Sequence, residues 1–316
     1  MQWKSRAPVY WGHHFAITAA YTGTYDILRN LTLAHLVPTA GLRLICLLLV
    51  PRRYWTALVI GEALPVAAMA ITTVDRFGPA YSMISSLPPI VLCMPIVAWF
   101  TQYTRLKRPD GNIDINGMWL AVALSALATT VASCASILLP RAPDGGSLYH
   151  IPGDEALAFF LGYYLGALTL VSACLALRER HRALDIPLRW HHVRESRLFR
   201  DVLFLQIPLL AFILIYVHVS GGRALVYGRM ATLLPLLMLA ARHHWHGAAI
   251  GGTLSVVALM FTASDFYDPS LVPAQTVIAF TMTTCMVLGS GKPWRSTATD
   301  GLRSLATKWR RSPAPP

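Results

Sequence analysis

Ten apolar stretches, each near the length that crosses a lipid bilayer, occupy most of this 316-residue chain, and its Lys and Arg residues gather in every second connection between them. A spanning helix takes about 20 mostly apolar residues. That length predicts helices near 15–32, 35–51, 54–74, 83–103, 118–139, 156–177, 202–218, 225–241, 247–263 and 270–290. The expected fold is all-α, a polytopic transmembrane helix bundle of about ten spans. Hydrophobic residues make up 55% and charged residues 13%, against about 45–50% and about 25% in soluble domains. Lipid is therefore the expected solvent for most of the surface.

The distribution of charge gives an orientation. Of the 27 Lys and Arg residues, all but Arg29, Arg43, Arg76, Arg141, Arg223 and Arg229 fall on one side if the spans alternate. The positive-inside bias then places both termini in the cytoplasm of a bacterial inner membrane. This gives a cytoplasmic segment 1–14, an integral domain 15–290 with a basic cytoplasmic loop at 178–201, and a basic tail at 291–316. The net charge of +12 is spread over short loops and a tail. A nucleic-acid footprint needs it gathered on one folded aqueous face, so nucleic acid is not an expected partner. The first span carries Asp26 and Arg29 and lacks a small-residue cleavage site, so it is expected to remain as an anchor.

In the tail, Leu302, Leu305, Ala306 and Trp309 share a helical face beside Arg303, Lys308, Arg310 and Arg311. Such a face suits the inner leaflet. Arg189, Arg194 and Arg197 of the 178–201 loop, with Trp309 and Arg310, are the expected contacts for anionic lipid or a cytoplasmic partner. Asp154 is placed to cap the sixth span.

An ionisable side chain inside a span costs about 2.5–3.5 kcal/mol on insertion scales. Asp26, Arg29, Arg43 and Glu62 must therefore find partners or a wet cavity, and they are the candidate residues for ligand binding or signal coupling. Asp26 and Arg29 share a helix face, which allows a local ion pair. Arg43 and Glu62 sit on consecutive antiparallel spans and can pair across them. Prolines at 65, 88, 89, 95, 208 and 235 favour kinks beside a cavity, and the fourth span, with Pro88, Pro89 and Pro95, is expected to be the most irregular.

Other chemistry is sparse. The five cysteines lie in apolar spans and read as small hydrophobes. His243, His244 and His246 point around a turn, so interfacial anchoring beside Trp245 is preferred to a metal site. Nucleophile, zinc-protease and phosphate-loop motifs do not occur, so neither enzymatic activity nor a cofactor is expected. A membrane enzyme would need Asp144, His150, Asp154, Asp265 and Asp268 to converge from loops.

Three segments resemble the first class of bacterial membrane-associated sensor domains, the MASE family. At 38–64 the matching residues are Pro38, Gly41, Leu42, Arg53, Tyr54, Trp55 and Gly61; at 159–170 they are Gly162, Leu165 and Gly166. At 235–252 a Pro-Leu helix, a basic turn at Arg242 and a small-residue helix follow in family order. In physical terms Gly41, Gly61, Gly162 and Gly166 allow helices to approach closely, while Tyr54 and Trp55 beside Arg52 and Arg53 suit an interfacial anchor. The resemblance implies a sensory or regulatory domain that perceives a small or membrane-soluble signal, or a membrane partner, and passes it to a separate protein in trans. It leaves room for a homo-oligomer. The alternative is a transporter or channel subunit with Asp26, Arg29, Arg43 and Glu62 in a polar pathway.

Overall fold

The computed structural model describes residues 11–32, 35–103, 114–140, 153–183, 194, 196–219, 223–263 and 268–290. Among them the regular structure is helical throughout. The helices are α1 (Trp11–Asn30), α2 (Pro38–Leu49), α3 (Trp55–Phe77), α4 (Pro79–Ser85), α5 (Ile90–Tyr103), α6 (Ile115–Ile137) and α7 (Gly153–Ala183). They are followed by α8 (Arg197–Val219), α9 (Arg223–Ala231), α10 (Leu233–Met260) and α11 (Val272–Gly289). Among the described residues seven segments are long and apolar enough to cross a membrane, and Pro38–Leu49 is a shorter apolar helix.

Helix α7 is the axis of the bundle. Its apolar stretch is 67% buried, against 22–44% for the other six segments, and it packs against α2, α6, α10 and α11. Small residues make this approach possible. A Cβ on Gly41 would lie 2.5 Å from the Gly166 carbonyl oxygen, and one on Gly166 would overlap the Val37 carbonyl. The Gly162 carbonyl accepts a hydrogen bond from Val37 N at 3.1 Å. At a second crossing, a Cβ on Gly61 would lie 3.0 Å from Thr18 O, which is how α1 seats on α3.

Proline shapes the helices locally. Pro38 opens α2 at its first turn, where a missing N–H costs nothing. Pro65 lies inside α3 and cannot donate to the Gly61 carbonyl one turn earlier. Thr22 of α1 supplies that hydrogen bond at 2.8 Å, so the backbone defect becomes a contact between helices. Pro88 and Pro89 separate α4 from α5, making the fourth apolar segment a broken one. A single π-helical turn, Val202–Gln206, precedes Pro208 in α8, and buried Gln206 donates from it to the Gly251 carbonyl at 2.7 Å.

The 37-residue segment Ala224–Met260 is one helical run only in outline. His244 has φ 54° and ψ −137°, so α10 consists of two arms joined by a sharp turn. Neighbours close over the turn: a Cβ on Gly247 would overlap the Leu239 carbonyl, and one on Gly289 would lie 2.5 Å from Trp245 N. At the start of α7, the helix begins at Gly153, so Asp154 falls inside the first turn with Glu155 rather than capping it. Both carboxylates there favour the positive end of the helix dipole.

Candidate functional site

Among the described residues three polar clusters bear on the site. The first joins α1, α2 and α3. Arg43 (3% exposed) and Glu62 (0%) form an ion pair, Nε to Oε1, of 2.7 Å. The second carboxylate oxygen accepts from the Tyr21 hydroxyl at 2.8 Å, and Arg43 Nη2 donates to the Tyr25 hydroxyl at 3.4 Å. These bonds offset the loss of hydration that burying both charges entails. Tyr21 and Tyr25, one turn apart on α1, stack at 6.2 Å between ring centroids. The remaining guanidinium nitrogen, Nη1 of Arg43, has no hydrogen-bond partner among the described residues.

Arg43 forms part of the wall of a cavity of about 430 Å³ lying between α1–α6 and α7. Its position along the chain places it toward the α1–α2 turn, since Thr32, Val37, Pro88, Pro89 and Ser136 contribute to it. Besides Arg43, the described wall carries Arg29, three tyrosines (Tyr25, Tyr81, Tyr163) and a set of Ser and Thr hydroxyls that includes Ser85, Ser133 and Thr129, and no Asp or Glu among the described residues. The Ser85 hydroxyl also has no partner among the described residues. Exposed apolar side chains, Met69, Ile84, Leu87 and Leu92, form the rim.

Arg29 does not pair with Asp26. It reaches α3, donating from Nη1 to the Pro65 carbonyl at 3.4 Å and from Nη2 to the Met69 sulfur, while Asp26 is exposed and makes no ion pair among the described residues. Helical spacing permitted the pair, but the Arg29 side chain is long enough to find acceptors across the helix interface. Of the four charged residues chosen from sequence, Arg29, Arg43 and Glu62 therefore belong to one neighbourhood and Asp26 lies outside it.

The second cluster, at the α1–α2 end, was not legible as a unit. Arg229 is 1% exposed and meets Asp268 at 2.7 Å; it also donates to the Thr262 carbonyl and to the Thr262 and Ser270 hydroxyls. His35 Nε2 accepts from Asp268 N at 2.7 Å, its Nδ1 meets Gln275 Oε1 at 2.7 Å, and Gln275 donates back to the His35 carbonyl. Burial lowers the pKa of His35 below its usual 6.5. For Asp268 burial acts upward, but hydrogen bonds from Ser270 and Arg229 outweigh it and hold the carboxyl below its usual 3.8. The signal that could have found this cluster was Arg229 itself, a cation within an apolar stretch subject to the same pairing requirement as Arg43.

The third cluster sits at the opposite end. Asp201 of α8 binds Arg242 at 3.0 Å and His243 Nε2 at 2.8 Å, and His246 lies 3.9 Å from Glu179. The expected interfacial anchoring beside Trp245 is corrected here: Trp245 and His246 are buried, their rings 4.0 Å apart. Tyr54 and Trp55 are likewise buried rather than lipid-facing. Ring contacts from His13 and His14 cover Tyr54, and Trp55 donates from Nε1 to the Val50 carbonyl at 3.2 Å. Among the described residues no three His, Cys, Asp or Glu side chains converge as metal ligands. Arg194 and Arg197 are exposed near this end; Arg189, Trp309 and Arg310 lie outside the described residues.

The geometry of the first cluster suits binding: a buried cation with unused donors, on the wall of an apolar cavity that opens at the side of the bundle. The family model MASE1 matches residues 14–290. No curated protein and no solved structure matches the chain.

Proposed function

Because the chain belongs to the MASE1 family of membrane-associated sensor domains, we propose that its helix bundle perceives a small membrane-soluble molecule in the Arg43 cavity and passes the change to a separate protein. The observation that carries this reading is Arg43, a lining residue of the cavity whose Nη1 has no hydrogen-bond partner among the described residues while the rest of the guanidinium is bonded. A purely structural ion pair has no need of a cavity beside it. An occupant acts only through a difference in affinity between two arrangements of the bundle. The broken α4–α5 segment on the cavity wall provides a joint where such arrangements can differ.

We further infer ten crossings with both termini in the cytoplasm of a bacterial inner membrane. In this assignment α1, α2, α3, α4 with α5, α6, α7, α8, α9 with the first arm of α10, the second arm of α10, and α11 each cross once. The fold at His244, the packing of α1 on α3 and that of α2 on α7 support it, as does the clustering of basic residues. The cavity then lies in the outer half of the membrane, and exposed Arg194 and Arg197 face a cytoplasmic partner or anionic lipid. The site is read as a binding site, with no catalytic step assigned.

The test uses the full chain in lipid nanodiscs. Adding an organic-solvent extract of bacterial membranes should alter hydrogen–deuterium exchange at 196–201 and 242–247, and Ala132→Phe, which fills the cavity from α6, should abolish the change. An unaffected wild type, or an equal response in the variant, refutes the reading. Solute uptake by proteoliposomes that depends on Arg43 would replace it with transport.

A further inference from the structure

Resting on the sensory reading of the Arg43 cavity, the ligand class can be argued from charge. Arg43 is balanced by Glu62, so it contributes hydrogen-bond donors but little net field. Arg29 on the same wall is held by a carbonyl and a thioether, neither of which carries a charge. Among the described residues no Asp or Glu contributes to the wall. The lining therefore presents one unbalanced positive charge together with unused N–H donors, in surroundings where a charge is costly to leave uncompensated. A cationic occupant would meet the Arg29 guanidinium, which has no counter-charge on the described wall. A neutral one would satisfy Nη1 of Arg43 and leave Arg29 as it is.

The rest of the cavity is mostly apolar, with neutral Ser, Thr and Tyr hydroxyls set into it. Met69, Leu87 and Leu92 are exposed at its rim, and Val66, Pro88 and Ala132 lie within its wall. Its volume of about 430 Å³ falls in the range of small-molecule sites. An oxyanion can take planar, charge-assisted hydrogen bonds from a guanidinium, and the thioether on Arg29 is a weak acceptor that a better one displaces.

We propose that this cavity binds a monoanionic amphiphile, a free carboxylate head on an apolar body, with the carboxylate set between Arg43 and Arg29 and the body against Met69, Leu87 and Leu92. A phospholipid phosphodiester shares the single negative charge. The carboxylate is favoured because the head must reach a guanidinium that is itself 3% exposed, and a phosphodiester is flanked on both sides by substituents.

Radiolabelled decanoate is the probe, with the full chain in nanodiscs of zwitterionic lipid. Saturable binding is expected, displaced by unlabelled decanoate and not by decanol or decylamine. Arg29→Gln and the charge-balanced pair Arg43→Met with Glu62→Gln should each weaken binding by about tenfold or more. Thermal melting of each variant reports that it is folded, and Arg29→Gln leaves the buried ion pair in place. Equal binding of decanol, or unchanged affinity in both folded variants, overturns the carboxylate assignment. So does displacement of decanoate by phosphatidylglycerol in the disc, which makes a lipid headgroup the occupant. If decanoate does not bind while the extract response blocked by Ala132→Phe persists, the ligand class falls and the sensory reading stands. If that response is missing as well, both fall.

Discussion

Replacing Glu62 by Gln keeps an oxygen for Arg43 Nε and a polar group for the Tyr21 hydroxyl, but it leaves the guanidinium charge buried without its counter-ion. Both partners are essentially inaccessible, at 4% and 0% side-chain exposure. Removing one member of such a pair costs about 3–5 kcal/mol, whereas replacing both members with a neutral pair of similar volume is often close to neutral. Unfolding entropy of about 2.1 cal/mol/K per residue gives about 0.7 kcal/mol/K for 316 residues. The single variant should therefore melt about 5–8 °C below the wild type, and Glu62→Gln with Arg43→Met should recover to within about 2 °C. Thermal unfolding in one detergent, scanned at one rate, measures all four corners of the cycle. A double variant as unstable as Glu62→Gln alone would show that the 2.7 Å contact carries no coupling and that the loss comes from repacking.

Other consequences can be checked by the same melting assay. Gly166→Ala places a methyl group against the Val37 carbonyl, which is backbone and cannot rotate away; a loss of about 3 kcal/mol is expected, and an unchanged melting temperature would refute the close approach of α2 and α7. His244→Gly should stabilise by about 1 kcal/mol, because φ 54° strains a residue bearing a Cβ; destabilisation would mean that the imidazole itself holds the turn. Unfolded His35 gains a proton near pH 6.5 while the folded protein resists it. Its contribution is thus complete above that pH and is lost as pH falls through it toward the lower folded value. The melting temperature should decline on acidification from about pH 7.5 to about 5, less steeply in His35→Gln, with Asp268 adding its own loss only below its usual 3.8. Equal slopes in the two proteins would dismiss His35 as the titrating group.

The helical architecture and the Arg43–Glu62 pair could be read from sequence because lipid enforces both. Backbone groups in hydrocarbon must bond within the helix, and a buried cation on one span demands an anion within reach. The same rule applied to Arg229 would have led to Asp268, but Asp268 sits in a connection whose path no local pattern fixes. The Asp26–Arg29 pairing failed because periodicity describes one helix at a time, whereas Arg29 is used between helices. Tyr54, Trp55 and Trp245 read as interfacial because aromatic residues beside Arg usually are. His13 and His14 fold over Tyr54, and Gly289 leaves room for Trp245, tertiary facts with no trace in a sequence window. The cavity is of the same kind, formed where the Pro88–Pro89 break meets five other helices.

With no side chain at Gly289 to act as a spacer, the backbone of α11 rests directly on that of the turn at Trp245. Two backbones in such close contact are expected to move together rather than independently. A fluorophore attached near either one would therefore report the same displacement, and a pair of labels, one on each, should keep a constant separation while distances to the cavity-facing helices change.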